Sequence, residues 1–341
     1  MEKTQIRCSI DFEKDGIQHG HLYVPYSYNL AGWANLMVPI STIARGKGPT
    51  ALVMAGNHGD EYPGQVAITR LVRELSPDQI NGRMILIPAI NMPGAKAATR
   101  LSPLDNKNFN RCFPGQAEGT PMEMLAHYLT HHLFPRVEIV IDLHTGGRGL
   151  DFHPCSHMHL VPDREQRRKM AEGALAWNTD FAFLYADIAG TGLLPVEAER
   201  QGKIVITTEM GGGEVVTPKV HRITQAGLKN VLIHLGILHG KKLTRSDLGL
   251  PPTRWIQSLA WEDYRFCPES GIYETLVDLG SDVSAGQPVG MVHFTENPTR
   301  APLVVEANSA GVLIATRGPS LVAQGDCVAC IGHDVDPKVL E

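Results

Sequence analysis

Between about residues 50 and 240 the apolar positions fall into two alternating kinds of run. "TALVMAG" at 50–56 is short and unbroken, as in a strand buried on both faces. "YPGQVAITRLVREL", just after it, carries its apolar positions at helical spacing. "MILIPAI", "VEIVIDLH" and "KIVITTE" repeat the strand pattern. "PMEMLAHYLTHHLF", "DREQRRKMAEGALAWN" and "PKVHRITQAGLKNVLIHLGIL" repeat the helical one, the first with a Pro suited to a helix start. This alternation predicts an α/β layer fold around a mostly parallel sheet. The first 50 residues read instead as short strands and turns, as in "HGHLYVPY" and "ANLMVPISTIARG". A first domain is expected over 1–250, with 1–45 as its N-terminal β segment.

Near 250 the pattern changes again. "LGLPPTRW" is a Pro/Gly linker, and the residues after it carry strand signals with almost no helical ones. Two pieces there resemble each other: the stretch from Gly280, "GSDVSAGQPVG", and the stretch from Gly318, "GPSLVAQGDCV". Each has a Gly, an apolar residue three later, a Gly turn and a valine. The repeat predicts a second domain at 251–341, a small β-sandwich of two similar halves.

At 341 residues the chain can bury a sizeable core, and 43% hydrophobic with 20% charged residues is ordinary for a soluble globular protein. The net charge of −5 is spread with both signs mixed, so neither a nucleic-acid partner nor a solvating acidic arm is expected. No apolar run reaches the roughly 18 residues of a membrane span, and the N-terminus has no signal-peptide core. Six scattered Cys suit a reducing cytoplasm better than a disulfide framework. The close pair Cys327 and Cys330 lies in a strand-like run without further metal-type residues, and reads as buried structural thiols.

Three of the strand-like runs end in residues that bind metals. His58 and Glu61 follow the run at 50–56; Asp142 and His144 end "IVIDLH"; Glu209 ends "IVITTE". In open parallel sheets ligands gather at the carboxyl ends of strands. Two neutral imidazoles and a carboxylate bind Zn²⁺ and leave a fourth position for water or substrate. A zinc held in this way lowers the pKa of its water to about 7 and polarises a carbonyl. Glu209 is then the free carboxylate for a general base. Asp142 either orients a ligand histidine or caps the neighbouring turn. His127 and His131 lie four apart on a helical run without a third ligand in view, and read as a partly solvated face. "FHPCSHMH" at 152–159 holds three His just after the His144 strand and reads as a surface loop, with a loop bordering the pocket as the alternative.

"HGDE" at 58–61, "NFNRCFPG" at 108–115, "DLHTGG" at 142–147 and "TTEMGGG" at 207–213 stand in order along the chain. Over about 40–240 they resemble the succinylglutamate desuccinylase/aspartoacylase family of the zinc carboxypeptidase fold. The resemblance implies a mostly parallel mixed sheet with helices on both faces. It also implies one Zn²⁺ per chain held by His58, Glu61 and His144, with Glu209 as the base. Asn110 and Arg111 match the pair that holds the substrate's carboxylate, and Arg100 matches the arginine that stabilises the oxyanion. The implied protein is a cytoplasmic zinc amidohydrolase, a homo-oligomer (dimer), acting on a small N-acyl amino acid. The overall layout is most similar to the branch that deacetylates Nα-acetyl-L-2,4-diaminobutyrate. Glu197, Glu199 or Asp187 would meet the ammonium of such a substrate, whereas an Arg200 contact would favour an acidic one.

The tail "SGIYETLVDLGSDVSAGQPVGMV" and "VVEANSAGVLIAT" resembles biotinyl/lipoyl barrel-sandwich domains, but no Lys occurs between Lys242 and Lys338 to carry a cofactor. A structural, oligomerising or pocket-covering role is left. Two other readings stay open for the first domain: a deacylase of the aspartoacylase or succinylglutamate type, or a metallocarboxypeptidase acting on peptides. A non-catalytic binding module is disfavoured by the complete ligand set and Glu209.

Overall fold

The computed structural model describes residues 2–186 and 190–340. A short strand, β1 (Arg7–Cys8), pairs with a hairpin of β2 (Gly16–Tyr28) and β3 (Ala31–Arg45). The N-terminal strands are therefore not short; the hairpin's are 13 and 15 residues long. Their alternation persists because one face stays covered: Leu22 and Val24 of β2 and Val38 and Ile40 of β3 are buried in one core cluster.

β4 (Thr50–Ala55), β5 (Gly82–Ile87) and β6 (Ile139–His144) form a parallel centre in the order β5-β4-β6. Helices α1 (Tyr62–Glu74), α2 (Met92–Ala97) and α3 (Pro121–Tyr128) lie in their connections. Next come β7 (Leu150–Phe152), β8 (Cys155–Met158), α4 (Arg164–Ala176), β9 (Phe181–Tyr185), α5 (Leu194–Arg200), β10 (Ile204–Glu209) and α6 (Pro218–His234). β10 lies parallel to β6 and antiparallel to β8, while β9 runs parallel to β8. The sheet is thus mixed, with two parallel blocks of opposite direction meeting at β10 and β8.

Alternate residues of the central strands bury against opposite layers. Val53, Leu86 and Ile141 share a core with Ile68 and Leu71 of α1 and Leu228 and Val231 of α6. Met54, Ile85 and Val140 share another with Leu125 of α3 and Leu194 of α5. Cover on both faces is why these strands read as unbroken apolar runs. β8 corrects the expectation of a surface loop at 152–159. Its polar residues enter the interior because they find partners: Ser156 Oγ donates to the Ala174 carbonyl at 3.0 Å, and His157 Nδ1 lies 2.9 Å from Thr207 Oγ1.

The remaining strands are β11 (Arg254–Ser258), β12 (Tyr264–Phe266), β13 (Gly271–Thr275), β14 (Asp282–Val283), β15 (Pro288–His293), β16 (Leu303–Glu306), β17 (Gly311–Arg317), β18 (Leu321–Val322) and β19 (Cys327–Asp334). Pairing crosses the linker: β11 lies parallel to β9 and antiparallel to β19, and β7 pairs with β17. β13, β15, β16 and β18 make a separate four-stranded antiparallel sheet. Val289 and Val292 from it meet Leu313 and Val328 of the large sheet in a core of their own. The repeated pieces take equivalent places. β14 turns at Gly286 into β15, and β18 turns at Gly325 into β19; both glycines have positive φ, +74° and +91°.

Candidate metal centre and active site

β4 ends at Ala55 and α1 begins at Tyr62, so the loop between them carries His58 and sets Glu61 at the helix N-cap. β6 ends on His144, and β10 ends beside it, with Glu209 opposite His144 in the parallel register. Three bases converge there. His58 Nδ1 lies 2.7 Å from Glu61 Oε1, and His144 Nδ1 lies 2.9 Å from Glu61 Oε2. All three side chains are buried, with ligand atoms within 4.8 Å of one another.

The other ring nitrogens are committed. His58 Nε2 is 3.2 Å from Asn108 Oδ1, and His144 Nε2 is 2.9 Å from Asp142 Oδ2. Asp142 shares a face of β6 with His144 and is itself held by Asn57 Nδ2 at 3.0 Å. Two acceptors behind the rings draw the protons to Nε2 and turn both Nδ1 lone pairs toward Glu61. Nitrogens facing a carboxylate at these distances need a proton or a cation between them. The donor set therefore fits a divalent cation bound by two neutral imidazoles and one carboxylate. Without the cation, protons take its place. Burial acts to raise the Glu61 carboxyl, but His58 and His144 outweigh it and hold it well below the usual carboxylate range. Burial likewise opposes charge on His144, yet Asp142 and Glu61 raise it well above the ordinary imidazole value. His58 is lowered, by burial first and by Arg100 and His144 next.

These groups open onto a cavity of about 310 Å³ lined by His58, Arg100, Asn110, Arg111, His144 and Glu209 among others. Glu61, which both imidazoles face, does not itself line the cavity. Arg100 is half-exposed and reaches Glu61 Oε1 with Nη1 at 3.4 Å. Asn110 Oδ1 accepts from the Leu194 backbone N–H at 2.8 Å, which ties the start of α5 to the 108–111 turn. Arg111 Nη1 donates to the Asn110 carbonyl at 2.8 Å. Glu209 is partly exposed at the cavity, and its Oε2 has no hydrogen-bond partner among the described residues. Burial first, then the Glu61 charge, pushes its carboxyl up to about 8.

Four parts of the site were not singled out from sequence. Asn108 stands inside the quoted "NFNRCFPG" and Asn57 beside "HGDE", so position offered a signal that composition did not. His157 and Tyr185 line the cavity from β8 and β9, and Trp261, Tyr264 and Phe266 line it from beyond residue 251.

Other expectations change. Glu199 lies 2.9 Å from His159, and Glu197 accepts from Gln201 at 3.1 Å; neither lines the cavity. Arg200 is exposed and does not line it either. Asp187 falls outside the described residues. His127 is buried rather than solvated, and Glu2 stands beside it and His131 at 3.2 and 3.4 Å. Cys330 is a buried free thiol, while Cys327 is half-buried and reaches the cavity.

Residues 47–235 match the Succinylglutamate desuccinylase/Aspartoacylase catalytic domain. The chain is 38% identical over 333 residues to the N-alpha-acetyl-L-2,4-diaminobutyric acid deacetylase of Halomonas elongata, covering 98% of the chain and 96% of that protein. Among solved structures it is similar to the product-bound ectoine utilization protein EutE (DoeB) from Ruegeria pomeroyi. The TM-score is 0.93 at 34% identity, over 98% of the chain and 100% of that structure. A succinylglutamate desuccinylase/aspartoacylase from Rhodobacter sphaeroides gives 0.92 at 36% identity, with the same two coverages.

One consequence concerns the metal-free protein. A carboxyl whose folded pKa is raised adds no penalty below its unfolded value and a growing one as pH climbs toward the folded value. For Glu209 that window runs from roughly 4.5 to 8. Glu209→Gln, stripped of metal, is expected to melt several degrees above stripped wild type at pH 8, with the gap closing near pH 5. Thermal melts at the two pH values measure this; equal melting points at pH 8 would contradict the assigned environment.

Proposed function

The chain belongs to the succinylglutamate desuccinylase/aspartoacylase family, and on that premise we propose that it hydrolyses Nα-acetyl-L-2,4-diaminobutyrate to 2,4-diaminobutyrate and acetate. The chain is a deacylase that cuts amide bonds. The chemistry rests on the three converging bases with an uncommitted carboxylate, Glu209, next to them. The substrate rests on end-to-end similarity to the Halomonas elongata deacetylase.

The proposed cation is one Zn²⁺ per chain, held through Nδ1 of His58, Nδ1 of His144 and the Glu61 carboxylate. When bound, it supplies Lewis acidity to the acetyl carbonyl and to water. Glu209 takes the proton of the attacking water on its carboxylate and returns it to the leaving amine nitrogen. Its raised basicity suits it to both transfers near neutral pH. Arg100 donates to the carbonyl oxygen as negative charge gathers there. Asn110 and Arg111 hold the α-carboxylate, the planar guanidinium matching a carboxylate's two oxygens.

The chain is proposed to work as a hydrolase unit, 1–250, whose pocket is completed by a β unit, 251–341. Trp261, Tyr264 and Phe266 of the second unit supply part of the wall. No helix among the described residues is long and apolar enough to cross a membrane. A cytoplasmic homodimer acting on a small diffusible substrate is the proposed setting.

Elemental analysis checks the metal. His144→Ala should lose most of its zinc while staying folded; unchanged zinc in a folded variant would remove His144 from the ligand set. Glu209→Gln should keep zinc and lose about 10²–10⁴ in kcat, the usual worth of a positioned acid/base. A kcat within threefold of wild type would assign the proton transfers elsewhere.

Acetate release over a panel of N-acetyl amino acids tests the substrate. Nα-acetyl-L-2,4-diaminobutyrate should have the highest kcat/KM and N-acetylaspartate a low one. Equal values, or a preference for acetylaspartate, would move the enzyme to the aspartoacylase type. Turnover of C-terminally blocked dipeptides instead would make it a peptidase.

A further inference from the structure

The cavity has a second wall, built on β8 and β9 beside the metal centre. Register places it: His157 on β8 lies opposite Thr207, and Glu209 lies two residues further along β10. Residues two apart on a strand share a face, so Thr207, Glu209 and His157 point into the same space. His157 is 6% exposed and lines the cavity, and its Nε2 has no hydrogen-bond partner among the described residues.

The hydrogen bonds around the ring decide what that nitrogen offers. Thr207 Oγ1 donates to the His157 carbonyl at 2.7 Å, which uses the hydroxyl's single proton. The same oxygen lies 2.9 Å from His157 Nδ1, so there it accepts, and Nδ1 carries the ring proton. Nε2 is left as a buried lone pair on a residue that lines the cavity. Burial, and His144 next, lower its basicity well below the ordinary imidazole value, which keeps the ring neutral. A buried acceptor with no partner is rare unless a ligand or water completes it.

An acceptor calls for an N–H donor, and the surroundings call for a positive one. The Tyr185 ring meets the His157 ring edge-on at 4.7 Å between centroids. Trp261, Tyr264 and Phe266 add aromatic surface to the same cavity, and aromatic faces attract cations. Glu209 is the only acidic side chain lining the cavity among the described residues, and it is committed to the reacting bond. Glu197 and Glu199, two of the three acids expected from sequence, are occupied outside the cavity, and the third, Asp187, lies outside the described residues.

We propose that His157 Nε2 is the acceptor for the side-chain ammonium of the substrate, in a subsite built of one neutral imidazole and aromatic walls for a primary amine on a short chain. This rests on the substrate reading above. An anionic side chain would meet a lone pair and aromatic faces and be refused. Thr207 acts through His157, as the residue that fixes its tautomer.

The experiment compares Nα-acetyl-L-2,4-diaminobutyrate with Nα-acetyl-L-norvaline, in which a methyl group replaces the ammonium. Wild type is measured first. No preference for the amine would overturn the substrate reading and this subsite together. With that preference established, His157→Phe should lower kcat/KM for the amine substrate on the order of 100-fold, mostly through KM. The norvaline substrate should change less than threefold, and zinc content should not change. His157→Gln, which can place an oxygen where Nε2 stood, should recover at least tenfold. Thr207→Val should weaken the preference for the amine without altering kcat on norvaline. An equal loss on both substrates, or an undiminished preference in a folded, zinc-loaded His157→Phe, would overturn the subsite while leaving the deacetylase reading intact. If His157→Phe does not fold, the Gln and Thr207→Val variants decide by the same preference ratio.

Discussion

Two imidazole nitrogens held at hydrogen-bond distance from one buried carboxylate need a proton or a cation in each gap. His58, Glu61 and His144 are in that position, and much of the local structure serves to keep them there. The loop after β4 and the end of β6 are held in parallel register, so the two imidazoles face one carboxylate from two sides. Asn108 and Asp142 then fix the rings from behind, and Asn57 fixes Asp142. A chain that invests this many buried polar contacts in orienting two lone pairs is organised around what lies between them.

The same crowding separates the roles of two carboxylates. Glu61 is drawn down by its two imidazoles, whereas Glu209, one strand over, has no such partner and is driven up by burial and by Glu61 itself. One carboxylate is therefore kept as an anion, which suits the ligand role proposed for it, and the other is poised near neutrality, which suits the proposed proton transfers. The difference comes from position on the sheet: Glu61 caps a helix between the two histidines, and Glu209 ends a strand beside them.

The centre of the fold was legible in sequence because both faces of its strands are covered, which writes unbroken apolar runs. His58, Glu61, His144 and Glu209 were legible because strand ends concentrate chemistry and each is followed by glycines. The N-terminal hairpin was misjudged in length because two prolines interrupt an alternation that the core nevertheless sustains. β8 was hidden by its own composition: "CSHM" has the residues of a loop, and only backbone pairing with β10 and β9 makes it a strand. Asn57, Asn108 and the aromatic wall from 261–266 were hidden for a different reason. Their roles depend on distant partners, and no local period or spacing encodes such contacts.

That wall also ties the tail to the pocket, although the tail lacks the lysine of the carrier domains its sequence resembles. β11 extends the large sheet beside β9, and β19 follows it, so the residues of the β unit arrive at the pocket on continuous hydrogen-bonded structure. Tyr264 and Phe266 are positioned by pairing with β19, and Trp261 by the 3-10 turn, Trp261–Asp263, that leads into β12. On the proposed reading, the cavity offers Asn110 and Arg111 to a carboxylate and Arg100 to a carbonyl oxygen, with an imidazole and aromatic faces beside them. A small amino acid with its anion at one end and its cation at the other satisfies both without leaving a buried group unpaired.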